Sequence, residues 1–260
     1  MGSAAVQGRL WSAGAGDWAE LHEQNSLPLF GAALQAGLVR RGTRLLDAGC
    51  GAGLVSLLAV LRGAEVVAVD VAPAFLAIAR ERLPDADVRE VDLDTLPFAD
   101  ASFDVALAVQ SVFYAADMAR AMGELARMVR PGGRVVATGW GPPDRCDYAR
   151  ISAALGPIAP PPPGAISPSA LGAPGVWEGL FAGAGLQMVG CGEVNCPFIF
   201  PDAEAAWHAH ASAGPFRRAI EVAGEAAVRA ACAAVDRAHA QPDGSVRYEN
   251  VFVWVAGERP

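Results

Sequence analysis

The 260-residue chain has few cysteines, no basic tract and no long apolar run. Its five cysteines, Cys50, Cys146, Cys191, Cys196 and Cys232, are odd in number and widely spaced. Cys191 and Cys196 form C-x4-C with no second pair to complete a zinc site, so buried free thiols are expected and no metal site is. No stretch approaches the roughly 18 unbroken apolar residues of a membrane span. Residues 1–16 lack the basic start and apolar core of a signal peptide, so the cytoplasm is the expected location and no membrane partner is expected. The arginines are scattered singly or in pairs, as at Arg40-Arg41 and Arg217-Arg218, and the net charge is −8. That balance argues against a nucleic-acid partner and fits action on small neutral or cationic molecules. No G-x-x-x-x-G-K-[ST] loop occurs, which excludes that kind of phosphate loop.

What is present is apolar and alternating. Hydrophobic residues make up 53% of the chain, enough for a sizeable core. Strand patterns are expected over 44–48, 65–69, 88–91, 103–109 and 134–138. Helical patterns separate them at 54–61, 73–83 and 116–129, and short links join the units. That order predicts an α/β fold with a mostly parallel sheet covered by helices on both faces. Before it, 20–37 reads as a helix that Pro28 interrupts. Trp11 and Trp18, seven residues apart, have the spacing to share a helical face. After it, 139–174 is proline-rich with little periodicity, and its four prolines at 160–163 predict a stiff, extended run. A helix over 175–184, a strand over 186–189, helices over 201–210 and 216–238 and a strand over 245–256 follow. The division expected is a helical cap segment over 1–40, a cofactor-binding core over 41–140, and a substrate cap or lid with the last strands over 141–260.

The densest signal is Leu45-Leu46-Asp47-Ala48-Gly49-Cys50-Gly51-Ala52-Gly53. An apolar strand enters three glycines, and a second apolar strand ends in Asp70. Glycine lets the chain turn sharply and admits a ligand against the backbone. A dinucleotide fingerprint would need its third glycine at position 54, which is Leu54. Asp70 at the end of strand two has the geometry to accept from both ribose hydroxyls, or to cap the next helix in solvent. Asp92, following strand three, is a candidate acceptor for an adenine amino group beside the Leu93 amide, or an ordinary loop acid.

These motifs together resemble the class I S-adenosylmethionine-dependent methyltransferases, in particular the small-molecule branch similar to ubiquinone and menaquinone methyltransferases. The residues that carry the resemblance are the glycine cluster, Val69-Asp70, Asp92 through Phe98 with Ser102-Phe103-Asp104, and Arg127 through Gly133. The resemblance covers about residues 40 to 140. It implies a Rossmann-like fold with a seven-stranded sheet and a helical cap insertion. It also implies S-adenosylmethionine as cofactor and S-adenosylhomocysteine as its product. Asp47, Gly49 and Gly51 would shape the methionine end, with Cys50 contributing backbone. Asp70 would hold the ribose, Val71 would pack on the adenine, and Asp92 and Leu93 would read it. Ala108, Val109 and Gln110 would line the cofactor at the end of strand four, with Trp18 beside it. Relatives often carry a histidine in the loop that reads Gln110-Ser111-Val112-Phe113-Tyr114 here, and this chain has none.

Methyl transfer from a sulfonium is a direct displacement that depends chiefly on alignment, and a hydroxyl acceptor benefits from a general base. Candidates for such a catalytic role are His208 and His210 in the variable region, His22 in the N-terminal segment, and Tyr114. Aromatic residues such as Trp11, Trp140, Trp177 and Trp207 are candidates for a pocket wall or for plain core packing. The acceptor expected is a small, partly hydrophobic molecule such as a natural-product intermediate, bound by a monomer or homodimer. Two other readings stay open: a methyltransferase-like scaffold for a reaction such as cyclisation, and a nicotinamide oxidoreductase. A protein or nucleic-acid methyltransferase ranks below them, since no Asn/Asp-Pro-Pro-Tyr run follows strand four.

Overall fold

The computed structural model describes residues 3–161 and 168–260. Three helices precede the sheet: α1 (Ser3–Ser12), the single turn α2 (Ala15–Asp17) and α3 (Leu27–Ala36). The sheet region runs β1 (Arg44–Ala48), α4 (Leu54–Leu61), β2 (Glu65–Asp70), α5 (Pro73–Arg82), β3 (Asp87–Glu90), β4 (Phe103–Ala108), α6 (Met118–Met128) and β5 (Val129–Trp140). Then come α7 (Ala149–Leu155), α8 (Val176–Gly183), β6 (Gln187–Asn195) and β7 (Phe198–Phe200). The chain closes with α9 (Ala203–Ser212), α10 (Gly214–Ala223), α11 (Glu225–His239), β8 (Val246–Tyr248) and β9 (Val251–Glu258).

Seven strands form one sheet in the order β3-β2-β1-β4-β5-β9-β6. Its first five strands pair in parallel, and β9 runs antiparallel between β5 and β6. This is a Rossmann-like α/β fold, and strand alternation explains its two layers. Leu45, Leu107 and Val136 face one layer with Leu34 of α3 and Val55 of α4. Their neighbours Leu46, Ala106 and Val135 face the other, with Met122 of α6 and Phe181 of α8. Helix starts follow local chemistry: Pro73 opens α5, Asp117 caps α6 by accepting from Arg120 N at 3.0 Å, and Asp202 caps α9 by accepting from Ala205 N at 2.8 Å.

The departures from the sequence pattern fall outside the parallel core. The helix expected over 20–37 is a π turn (Trp18–His22), a 3₁₀ turn (Glu23–Ser26) and then α3, with Pro28 in its first turn. The single helix expected over 216–238 is broken at Gly224 into α10 and α11. The strand expected over 245–256 is two strands: β8 pairs with β7 in a separate ribbon, while β9 enters the main sheet. The segment 139–174 holds α7, which the prolines obscured. Of the four-proline run, Pro162 and Pro163 lie outside the described residues. Among the described residues, no helix is long and apolar enough to cross a membrane.

Candidate functional site

The carboxyl ends of β1, β2 and β4 open onto a cavity of about 540 Å³. Crevices at that edge of a parallel sheet are where ligands bind in open α/β folds. At Gly49 the backbone has φ +84°, and a Cβ would lie 2.3 Å from the Ser111 Cβ. Only glycine fits there, because the chain after β4 crosses directly over the turn. Ser111 is held by donating to the Ala48 carbonyl at 2.6 Å. Gly51, φ +55°, has no atom within 4 Å of a Cβ and borders the cavity. Its N–H donates to Asp70 Oδ2 at 2.9 Å, and the Ala72 N–H donates to Asp70 Oδ1 at 2.9 Å. Each oxygen of Asp70 thus spends one lone pair on the backbone and keeps another, in a residue that lines the cavity. Burial pushes the Asp70 pKa up, opposed by those backbone donors.

Asp47 and Ala108 stand behind this surface rather than on it. Asp47 is fully buried and accepts from Ser56 Oγ at 2.6 Å, and its Oδ1 has no partner among the described residues. Burial pushes its carboxyl up to about 7. Ala108 is packed in the core layer that faces α6. Cys50 borders the cavity, and burial pushes its thiol well above the ordinary value. Val71, Asp92, Leu93, Val109 and Gln110 line the same cavity. Asp92 Oδ1 accepts from Asp94 N at 3.0 Å, while Gln110 adopts φ +56° and donates its N–H to Thr138 Oγ1 at 3.0 Å.

The N-terminal segment covers this floor. Trp11 and Trp18 meet edge to face at 5.0 Å although the helix ends between them. Trp18 stacks on His22 at 4.2 Å, and Trp11 meets Tyr114 at 5.4 Å. All four line the cavity. His22 is buried, and its Nδ1 has no partner among the described residues. Burial holds its pKa down at about 3. Burial also raises the Tyr114 phenol. Glu23, which the sequence did not single out, ties this cap to the glycine turn. It accepts from Leu54 N at 3.2 Å and from Arg82 Nη1 at 2.5 Å, and Arg82 also donates to the Ala52 carbonyl at 2.9 Å.

The other two histidines lie elsewhere. His208 is half exposed, with Nδ1 3.4 Å from Asp17 and Nε2 3.5 Å from Glu204, and it is not part of the cavity wall. His210 is fully buried one layer behind the wall. Its Nδ1 is 2.8 Å from the Tyr148 hydroxyl and its Nε2 is 2.9 Å from Asp236 Oδ1. Tyr148 does border the cavity, with its ring stacked at 5.7 Å on Trp140, and Phe198 and Phe252 complete an aromatic end. Nothing local marks Tyr148, because its partners arrive from α9 and α11.

A family model described as a methyltransferase domain matches residues 46–137. An uncharacterised protein of Mycobacterium tuberculosis is 32% identical over 174 residues, covering 65% of this chain and 61% of that protein. The chain spans 57% to 61% of the length of the first curated relatives it matches. Among solved structures, the [4+2]-cyclase SpnF is 21% identical with a TM-score of 0.58, over 89% of this chain and 80% of that one. Geranyl diphosphate C-methyltransferase from Streptomyces coelicolor, solved with Mg²⁺, geranyl diphosphate and S-adenosylhomocysteine, is 20% identical with a TM-score of 0.52, over 89% and 78%. The strand order, the glycine turn and these likenesses agree: the chain has a class I S-adenosylmethionine-dependent methyltransferase fold.

Proposed function

We propose that the protein transfers a methyl group from S-adenosylmethionine to a small, partly hydrophobic organic acceptor, releasing S-adenosylhomocysteine. The observation that carries this reading is one continuous cavity, with the glycine turn and Asp70 at one end and Trp140, Tyr148, Phe198 and Phe252 at the other. The residues fit the cofactor: Gly51 leaves open space, and Asp70 keeps acceptor capacity toward the cavity for a ribose diol. Val71, Asp92 and Leu93 would hold the adenine side, and Val109, Gln110 and Trp18 the flanks. Bound S-adenosylmethionine supplies an electrophilic methyl group on a sulfonium. The chain's own part is to align the acceptor with it and exclude water, which the aromatic walls accomplish.

The same walls narrow the acceptor. The chain contains no lysine, and no arginine is among the described residues that line the cavity. A phosphate or carboxylate on the acceptor would find no side-chain counter-ion among the described residues of the wall, which favours an acceptor without one. Within the fold, our narrower reading is the branch similar to ubiquinone and menaquinone methyltransferases, on the motif from Asp92 to Phe98.

A second reading, a scaffold for cyclisation, draws on the likeness to SpnF and on the loop Gln110–Tyr114 without histidine. Calorimetry with S-adenosylmethionine, S-adenosylhomocysteine and NAD tests the cofactor assignment: both sulfur compounds bind and NAD does not. Binding of NAD alone would reject it. An acceptor that gains one methyl mass supports transfer, and one that isomerises at constant mass supports the scaffold.

A further inference from the structure

We propose that the accepting atom is a hydroxyl oxygen, and that Tyr148 removes its proton by passing its own to His210; this rests on the methyl-transfer reading above. Tyr148, His210, Asp236 and Tyr248 are all buried, and of the four only Tyr148 borders the cavity. The contacts fix a direction. Asp236 is an acceptor as a carboxylate, so it takes a proton donated by His210 Nε2 at 2.9 Å. The imidazole then presents an unprotonated Nδ1, which accepts from the Tyr148 hydroxyl at 2.8 Å. The Tyr248 hydroxyl donates to the same Asp236 oxygen, locking the carboxylate in place. The Phe216 ring lies nearly parallel to His210 at 5.7 Å. With its own proton given to His210, the Tyr148 oxygen is free to accept from a ligand.

The chemistry balances. A lone pair of the acceptor oxygen forms the C–O bond as the sulfonium C–S bond breaks, and that bond's electrons remain on sulfur. The hydroxyl proton moves to the Tyr148 oxygen while the Tyr148 proton moves to His210 Nδ1. The resulting imidazolium is stabilised by Asp236 until the proton leaves to solvent. Burial pushes the Tyr148 phenol well above its ordinary value, so it works by concerted relay and never as a standing phenolate. The titratable groups facing the network are Asp236, Cys232 and His239 from α11, Tyr248 from β8, His22 from the π turn and Tyr114 beyond β4. Of these, His22 stays neutral through the working pH range and adds no competing charge. Tyr148 is therefore catalytic, and His210 and Asp236 position and polarise it. An amine or carbon acceptor needs no such chain.

The test uses 2-naphthol and 2-naphthylamine, alike in ring and different in the polar atom, with a ¹³C-methyl donor and with S-adenosylhomocysteine as a dead-end partner. The wild type converts the naphthol to its methyl ether. Tyr148→Phe lowers that kcat by about 10²- to 10⁴-fold, the range of general-base catalysis, and keeps the S-adenosylhomocysteine affinity, while the melting temperature falls because the buried His210 Nδ1 loses its partner. Its residual rate climbs about tenfold per pH unit up to the naphthol's own pKa, because only pre-ionised acceptor reacts. In the dead-end complex, the naphtholate absorbance appears at lower pH in the wild type than in Tyr148→Phe or His210→Gln. A merely structural network would lower the melting temperature alike but leave the pH profile and the ionisation of the bound naphthol unmoved. Methylation of the naphthylamine but not the naphthol, no transfer to the naphthol, or a Tyr148→Phe enzyme with the wild-type pH profile would overturn the proposal. Failure to bind S-adenosylhomocysteine at all would instead reject the methyl-transfer reading beneath it.

Discussion

The two ends of the cavity are built in opposite ways. The end proposed for the cofactor is made of backbone: the Gly49–Gly51 turn, the amides that hold Asp70, and strand ends whose positions follow from the sheet. The end proposed for the acceptor is made of side chains brought from far apart, with Tyr148 and His210 sixty-two residues apart and His210 and Asp236 twenty-six. A backbone-built site tolerates almost no change at its glycines. A side-chain-built site can be retuned one residue at a time, which suits a fold that keeps one donor and varies its acceptor.

The sharpest way to break that contrast is at the turn. Gly49→Ala combines a left-handed backbone with overlap against Ser111, and should cost about 3 kcal/mol or more of stability. Gly51→Ala meets no atom and should cost only the strain of its φ, about 1 to 2 kcal/mol, while filling cofactor space. Urea unfolding with and without S-adenosylhomocysteine separates the two. Equal destabilisation would mean that Ser111 does not police the turn. Next, Asp70→Ala should weaken S-adenosylhomocysteine by about 2 to 4 kcal/mol by calorimetry, the loss expected for the two ribose contacts proposed for it. An unchanged affinity removes Asp70 from the site.

His22 gives a pH test at the boundary between the ends. Its folded pKa is about 3, below the ordinary histidine value, so the unfolded chain takes up the proton first as pH falls. Its contribution is complete above about pH 6.5 and is lost as pH falls toward 3. Relative to His22→Phe, the wild type should lose about 2 kcal/mol between pH 7.5 and pH 5. Asp47, raised by burial to about 7, has the opposite sign: its contribution is lost as pH rises from about 4 to 7. The comparison with the variant isolates the histidine, and a pH-independent difference would mean that His22 titrates normally. The smallest effect is at the acceptor end: Trp140→Phe should weaken naphthol binding by about 0.5 to 1.5 kcal/mol and leave the cofactor affinity alone. A loss of cofactor affinity would show the two ends to be coupled.

The same contrast explains what the sequence made legible. The placement of Gly49, Gly51, Asp70 and Asp92 on the cavity follows from local spacing, because strand, turn and helix are consecutive in the chain. The parallel core follows from apolar strands alternating with helices for the same reason. Past residue 140 that logic holds for α8 and α9 but not for their neighbours. Gly224 splits a helix that composition alone reads as continuous, and β8 leaves β9 to join a separate ribbon. The prolines hid α7, and Tyr148, the residue just before it, meets His210 of α9, which in turn meets Asp236 of α11. His210 carried a sequence signal as a histidine beside a tryptophan, but its depth behind the wall is a tertiary fact. Glu23 gave no signal at all, since Arg82 lies fifty-nine residues away.

The measurement that tests the whole account most directly is calorimetry of S-adenosylhomocysteine with the wild type, Asp70→Ala and Tyr148→Phe side by side. Tight binding by the wild type, a loss of about 2 to 4 kcal/mol in Asp70→Ala and no loss in Tyr148→Phe are expected. No binding by the wild type, or equal losses in the two variants, would contradict it.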